Sequence, residues 1–99
     1  MNAEKCCDVD KFVKAMADET RQRILEELKI GEMCVSELTS RIKLTQPTVS
    51  HHLSVLQNAK LVFSRREGKY IFYRINQQCI AEGCQGILTQ INAQSKQET

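Results

Sequence analysis

The stretch VSELTSRIKLTQPTVSHHLSVLQNAK, residues 35–60, restricts the fold more than any other part of the chain. Val35, Leu38 and Ile42 fall on one helical stripe, and Val49, Leu53 and Leu56 fall on a second. Both follow the spacing of helices that bury one face. Thr45 reads as the N-cap of the later helix, with Pro47 in its first turn, where a missing N–H costs no bond. If Ser36 is the N-cap of the earlier helix, that helix starts slightly later than Val35. Only about three residues separate the two helices, which therefore pack as a tight helix-turn-helix.

The flanking sequence completes the architecture. Val9, Phe12, Val13, Met16 and Ala17 form an amphipathic stripe that Asp8 is placed to cap. Asp18 caps a second helix that buries Ile24, Leu25 and Leu28 and stops before Gly31. After residue 60 the period changes: in LVFSRREGKYIFYRI, Tyr70, Phe72 and Arg74 alternate with Ile71, Tyr73 and Ile75, and REGK supplies a turn. That is a β-hairpin. A last helix places Ile80, Cys84, Ile87, Leu88 and Ile91 on one stripe, with Gly83 and Gly86 each weakening it by about 1 kcal/mol relative to Ala. The expected fold is mainly α with a β-hairpin: a winged helix-turn-helix of about five helices and a two-stranded wing. One domain spans residues 1–99. Residues 1–8 are expected to form a mobile cysteine-bearing segment, 76–91 a C-terminal helix and 92–99 a frayed tail.

Charge is unevenly divided along the chain. Residues 1–37 carry six Lys/Arg against nine Asp/Glu, whereas residues 38–80 carry seven against the single Glu67. A basic middle between acidic ends is the footprint of a face that meets a polyanion. Gln46, Thr48, Ser50, His51 and Ser54 form a polar face on the fourth helix, suited to base edges or phosphates in a major groove. Arg65, Arg66 and Lys69 on the hairpin, with Lys43 before the recognition helix, are expected to track phosphates. The competing reading is a winged helix that docks protein and leaves this face solvated. His51 and His52 are neighbours, projecting about 100° apart, so they do not converge on a metal.

Five cysteines cannot pair fully within one chain. No apolar run has the length of a membrane span, and the first residues lack the apolar core of a signal peptide. A cytoplasmic location is therefore expected, where thiols stay reduced. Metal-binding or redox-active thiols are the better reading of the vicinal Cys6–Cys7 pair. An enzyme is not expected, because nothing pairs a cysteine with a general base and an oxyanion site.

Three motifs, ADETRQRIL, SELTSRIKLTQPTVSHHLSVL and LVFSRREGKYIFYRI, together resemble the ArsR/SmtB family of dimeric bacterial repressors over roughly residues 9–90. The resemblance implies a homodimer built on the first and last helices, an operator of double-stranded DNA with two-fold symmetry, and release of that DNA when an inducer binds. The family's thiolate pair at the start of the third helix is broken here, since Ser36 follows Cys34 and Val35. Its zinc site on the last helix requires histidines that this chain lacks there. A third arrangement is similar to this chain: an N-terminal vicinal pair joined across the dimer by a cysteine near the third helix, here Cys6, Cys7 and Cys34.

Three thiolates without an imidazole select thiophilic ions over magnesium, calcium or manganese. Arsenite (As3+) or antimonite, satisfied by three sulfurs in a pyramid, is the expected inducer, with cadmium or lead as the alternative ions. Structural zinc normally takes four ligands. Cys79 and Cys84 form a candidate second metal or redox site across the dimer, since about 140° of helix separates them within one chain. The same repressor fold responding to thiol oxidation or to a small organic ligand stays open at this point.

Overall fold

The computed structural model describes residues 8–86. Cys6 and Cys7, the last-helix positions Ile87, Leu88 and Ile91, and the tail at 92–99 lie outside the described residues. In chain order the elements are α1 (Val9–Met16), α2 (Glu19–Leu28), β1 (Met33–Cys34), α3 (Val35–Ile42), α4 (Gln46–Asn58), β2 (Val62–Glu67) and β3 (Tyr70–Ile75). A further helix, α5, occupies 77–86 within the described residues. This is the winged helix-turn-helix expected from the sequence, with one strand more. No helix among the described residues is long and apolar enough to cross a membrane.

Local chemistry accounts for the helix starts. Asp8 accepts from the backbone N–H of Asp10 at 2.9 Å, and Asp18 accepts from those of Thr20 and Arg21 at 2.8 and 3.1 Å. The donated bonds, that from Arg21 first, hold the Asp18 carboxyl below its ordinary range. Its folded pKa is thus depressed, so its contribution is present above the unfolded value and is lost as pH falls through the folded one. Asp18→Ala is expected to cost about 1 kcal/mol at neutral pH. In urea melts the difference from the parent should shrink in acid, below the usual carboxylate range.

The core gathers Phe12 and Ala15 of α1, Ile24, Leu25 and Leu28 of α2, Leu38 and Ile42 of α3, Val49, Leu53 and Leu56 of α4, and Cys79 of α5. The α2 and α4 seams are those the sequence marks. In α1 the buried pair is Phe12 and Ala15, while Val13 is 45% exposed and Ala17 is the exposed C-cap. The reason lies in α5, which approaches so closely that Gly83 meets the Phe12 ring and Gly86 meets Val9. The inward face of α1 is set by this crossing, and Val13 is rotated away from it.

Two further differences concern the third helix. Its N-cap is Cys34, not Ser36, and Glu37 reaches back to accept from the Cys34 N–H at 3.1 Å. Met33 and Cys34 also form a strand, giving an antiparallel sheet in the order β1-β3-β2. Met33 pairs with Tyr73 and Cys34 with Phe72. Two residues are too few to show a strand period, so the sequence alone suggests only the hairpin.

Asn76 joins the wing to the rest of the molecule. It is buried, its amide donates to the Lys60 carbonyl at 2.8 Å, and its side-chain oxygen accepts from the Cys79 N–H at 3.3 Å. One side chain thereby ties the end of α4 to the start of α5.

Candidate nucleic-acid interface and thiol positions

The recognition helix α4 is held at both ends. At its start the Thr45 hydroxyl accepts from the Thr48 N–H at 3.4 Å and contacts the Thr48 hydroxyl at 2.9 Å. Before it, Lys43 closes α3 in the left-handed conformation, at φ 66°. Lys60, at φ 64°, turns the chain after the other end. Such angles are uncommon for residues with a Cβ and cost strain. Lys43 keeps its side chain exposed beside the first turn of α4.

Gln46, Thr48, Ser50, His51 and Ser54 are all exposed, opposite the buried Val49, Leu53 and Leu56. His52 is half-buried, and its Nδ1 lies 3.2 Å from the Arg21 guanidinium. Arg21 also donates to the carbonyls of Ala15 at 2.8 Å and Lys14 at 3.1 Å. This one side chain therefore connects the end of α1 to the middle of the recognition helix.

Strand geometry separates the two wing arginines. Successive residues of a strand point to opposite faces, and cross-strand partners share one. Arg66 pairs with Ile71 on the face of Ser64, whose hydroxyl accepts from Gln57 of α4 at 2.9 Å. Arg65 pairs with Phe72 on the other face, in the same row as Cys34. Arg65 is engaged there by Glu32, at 2.8 Å through both Nε and Nη2, and by Glu67 at 2.7 Å. Its guanidinium also lies 4.8 Å from the centre of the Phe72 ring. These hydrogen bonds, that to Glu32 first, raise the Arg65 pKa, and Arg65 in turn lowers that of Glu32. Arg66 donates only to the Gly68 carbonyl, at 3.3 Å, and Lys69 lies 5.6 Å from the Tyr70 ring centre. Neither forms an ion pair among the described residues.

The thiols have different surroundings. Cys34 is buried, with Sγ 3.2 Å from the Ser36 hydroxyl. It borders a cleft of about 380 Å³ whose walls include Ser36, Gln46 and Ser50 on one side and Lys69 and Tyr73 of the wing on the other. Cys79 is a core residue and Cys84 is exposed. The sequence stripe marks Cys84 as a core or dimer-interface residue, and in the single chain it is exposed and not part of the core. Asn76 at the base of α5 fixes the start of the helix so that Cys79 enters the core above Ala59. Among the described residues no three His, Cys, Asp or Glu side chains cluster as a metal site.

Residues 18–64 match the profile described as "Bacterial regulatory protein, arsR family". The transcriptional repressor SdpR of Bacillus subtilis is 33% identical over 84 residues, covering 85% of this chain and 93% of that one. The arsenic resistance transcriptional regulator ArsR1 of Pseudomonas putida is 42% identical over 64 residues, which span 64% of this chain and 50% of that one. Among solved structures, the homodimeric winged helix-turn-helix DNA-binding domain Mb0332 of Mycobacterium bovis superposes with a TM-score of 0.70 at 31% identity. That match covers 91% of this chain and 82% of the other. These relatives are regulators and not enzymes. Sequence match, helix order and wing agree, and the chain belongs to the ArsR family of bacterial transcriptional regulators.

Proposed function

We propose that the protein is a homodimeric repressor that binds a two-fold symmetric operator through α4 and the wing. It releases that DNA when trivalent arsenic or antimony is held by Cys6, Cys7 and Cys34. The observation that carries this reading is the place of Cys34. It is at once the N-cap of α3, a paired residue of the wing sheet and a border of the cleft beside Gln46 and Ser50. A pull on this thiol acts on both DNA-reading elements together.

The donor chemistry fits. Cys6 and Cys7 supply two thiolates in sequence and Cys34 the third. Three thiolates match the lone-pair-bearing trivalent metalloids and leave zinc one ligand short. The exposed Val13 on α1 and Cys84 on α5 give the dimer reading an unfilled face on the two helices it needs. Such a sensor needs a differential affinity of only about 1–3 kcal/mol between its DNA-bound and free arrangements. The arsenic resistance regulator ArsR1 supports a metalloid inducer, although half of that relative's length lies outside the match.

Anaerobic titration of the reduced protein with arsenite, followed by thiolate-to-arsenic absorption in the near ultraviolet, tests this directly. One arsenic per chain is expected, with the band collapsing in Cys34→Ser. A band with cadmium but none with arsenite would reassign the inducer. No band with either, together with loss of DNA binding on peroxide treatment, would replace metal sensing by thiol oxidation.

A further inference from the structure

We propose that Glu32 limits the affinity of this protein for DNA, by holding the wing cation Arg65 in carboxylate pairing and withholding it from phosphate. The inference rests on the DNA-binding reading above but not on the identity of the inducer. Of the three wing cations expected to meet phosphate, two form no ion pair among the described residues, while Arg65 is bound on all three of its nitrogens. Glu32 takes Nε and Nη2 in a two-pronged contact and Glu67 takes Nη1. The ring of Phe72 lies against the guanidinium. Three of the five N–H groups of Arg65 are thus taken, and a phosphate gains the two-pronged Nε and Nη2 edge only by displacing Glu32.

Charge points the same way. Arg74, paired with Phe63, lies on the same face as Arg65, so Glu32 and Glu67 together cancel the two guanidiniums and leave this face of the wing without net positive charge. Arg65 with Glu67 alone would be a neutral pair built within the hairpin. Glu32 comes from outside the hairpin, just before β1, and it cancels the one positive charge that Arg65, Arg74 and Glu67 would otherwise leave there. Exposed ion pairs contribute little to folding because solvent screens them and ordering two long side chains costs entropy. The effect of Glu32 is therefore expected in binding and not in stability. The functional sense is that of a repressor kept below its maximal affinity, so that a modest inducer coupling suffices for release.

The test measures binding of a fluorescein-labelled duplex of arbitrary sequence by anisotropy, across sodium chloride concentrations, for the parent, Glu32→Gln and Glu26→Gln. Glu26 is an exposed glutamate of α2 paired with Lys29, so its loss changes net charge equally but away from the wing. One added phosphate contact steepens the dependence of log K on log salt by about 0.9, which is roughly an eightfold gain in affinity at 0.1 M salt. Glu32→Gln is expected to show that steepening, Glu26→Gln is not, and adding Arg65→Gln to Glu32→Gln should abolish it. An unchanged slope, weaker binding in Glu32→Gln, or an equal gain in Glu26→Gln would overturn the proposal while leaving DNA binding intact. A parent protein with no salt-dependent binding would overturn the DNA-binding reading, and this proposal with it.

Discussion

Gly83→Ala is expected to lower the melting temperature by about 10 °C, corresponding to a net loss of about 2 kcal/mol for a domain of this size. Helix propensity predicts the opposite sign, because Gly inside a helix costs about 1 kcal/mol relative to Ala. Packing decides the matter. A Cβ at position 83 would lie within 2.5 Å of three atoms of the Phe12 ring, which is itself 2% exposed. Carbon atoms in good contact sit about 3.5–4 Å apart. The ring or the helix must therefore move, and overpacking of this kind costs about 1–3 kcal/mol or more. Combining Gly83→Ala with Phe12→Leu should cost less than the sum of the two changes, since the smaller side chain leaves room for the new methyl. A thermal melt showing Gly83→Ala more stable than the parent would mean that α5 does not cross α1 at this point.

Replacing Arg66 and Lys69 together by Gln is expected to weaken binding to duplex DNA about 60-fold at 0.1 M salt and to flatten the salt dependence by about 1.8. The number follows from two phosphate contacts of about 0.9 each in the slope, with each contact worth roughly eightfold at that salt. The structure singles out this pair because both cations lie at the wing tip without a carboxylate partner among the described residues. Substitutions at Gln46 or Ser50 should behave differently. Base-edge contacts carry sequence preference and little salt dependence. A double wing variant that bound with an unaltered slope would remove the hairpin tip from the interface.

Much of this was legible in the sequence because the elements concerned are long and strongly patterned. The seams of α2 and α4, the caps at Asp8, Asp18 and Thr45, and the hairpin turn all follow from local chemistry that neighbours do not override. Three features were not legible, each for a definite reason. Strand β1 has two residues, and only its pairing with β3 makes it a strand. The inward face of α1 depends on how closely α5 approaches, which is decided by two glycines about seventy residues later in the chain. The inward turn of Cys79 depends on Asn76, a polar residue whose burial no apolar pattern announces. At the candidate interface, the run Arg65–Arg66 reads as two equivalent cations. A strand alternates its faces, however, and Glu32 lies 33 residues away, so their separate fates appear only in three dimensions.

The third strand also makes the wing a mechanical element. Cys34 is hydrogen-bonded into β3 opposite Phe72, three residues above the base of the wing at Ile75, while the tip at Gly68 stands about twice as far out, each residue adding about 3.3 Å. For a rotation about that base, Cys34 is the short arm of a lever and the tip is the long arm. A displacement of the thiol thus reaches the DNA-facing end roughly doubled. The wing's own cations, Arg65, Arg66 and Lys69, would then be moved as a rigid hand is moved by the wrist, with little need for any of their own contacts to change.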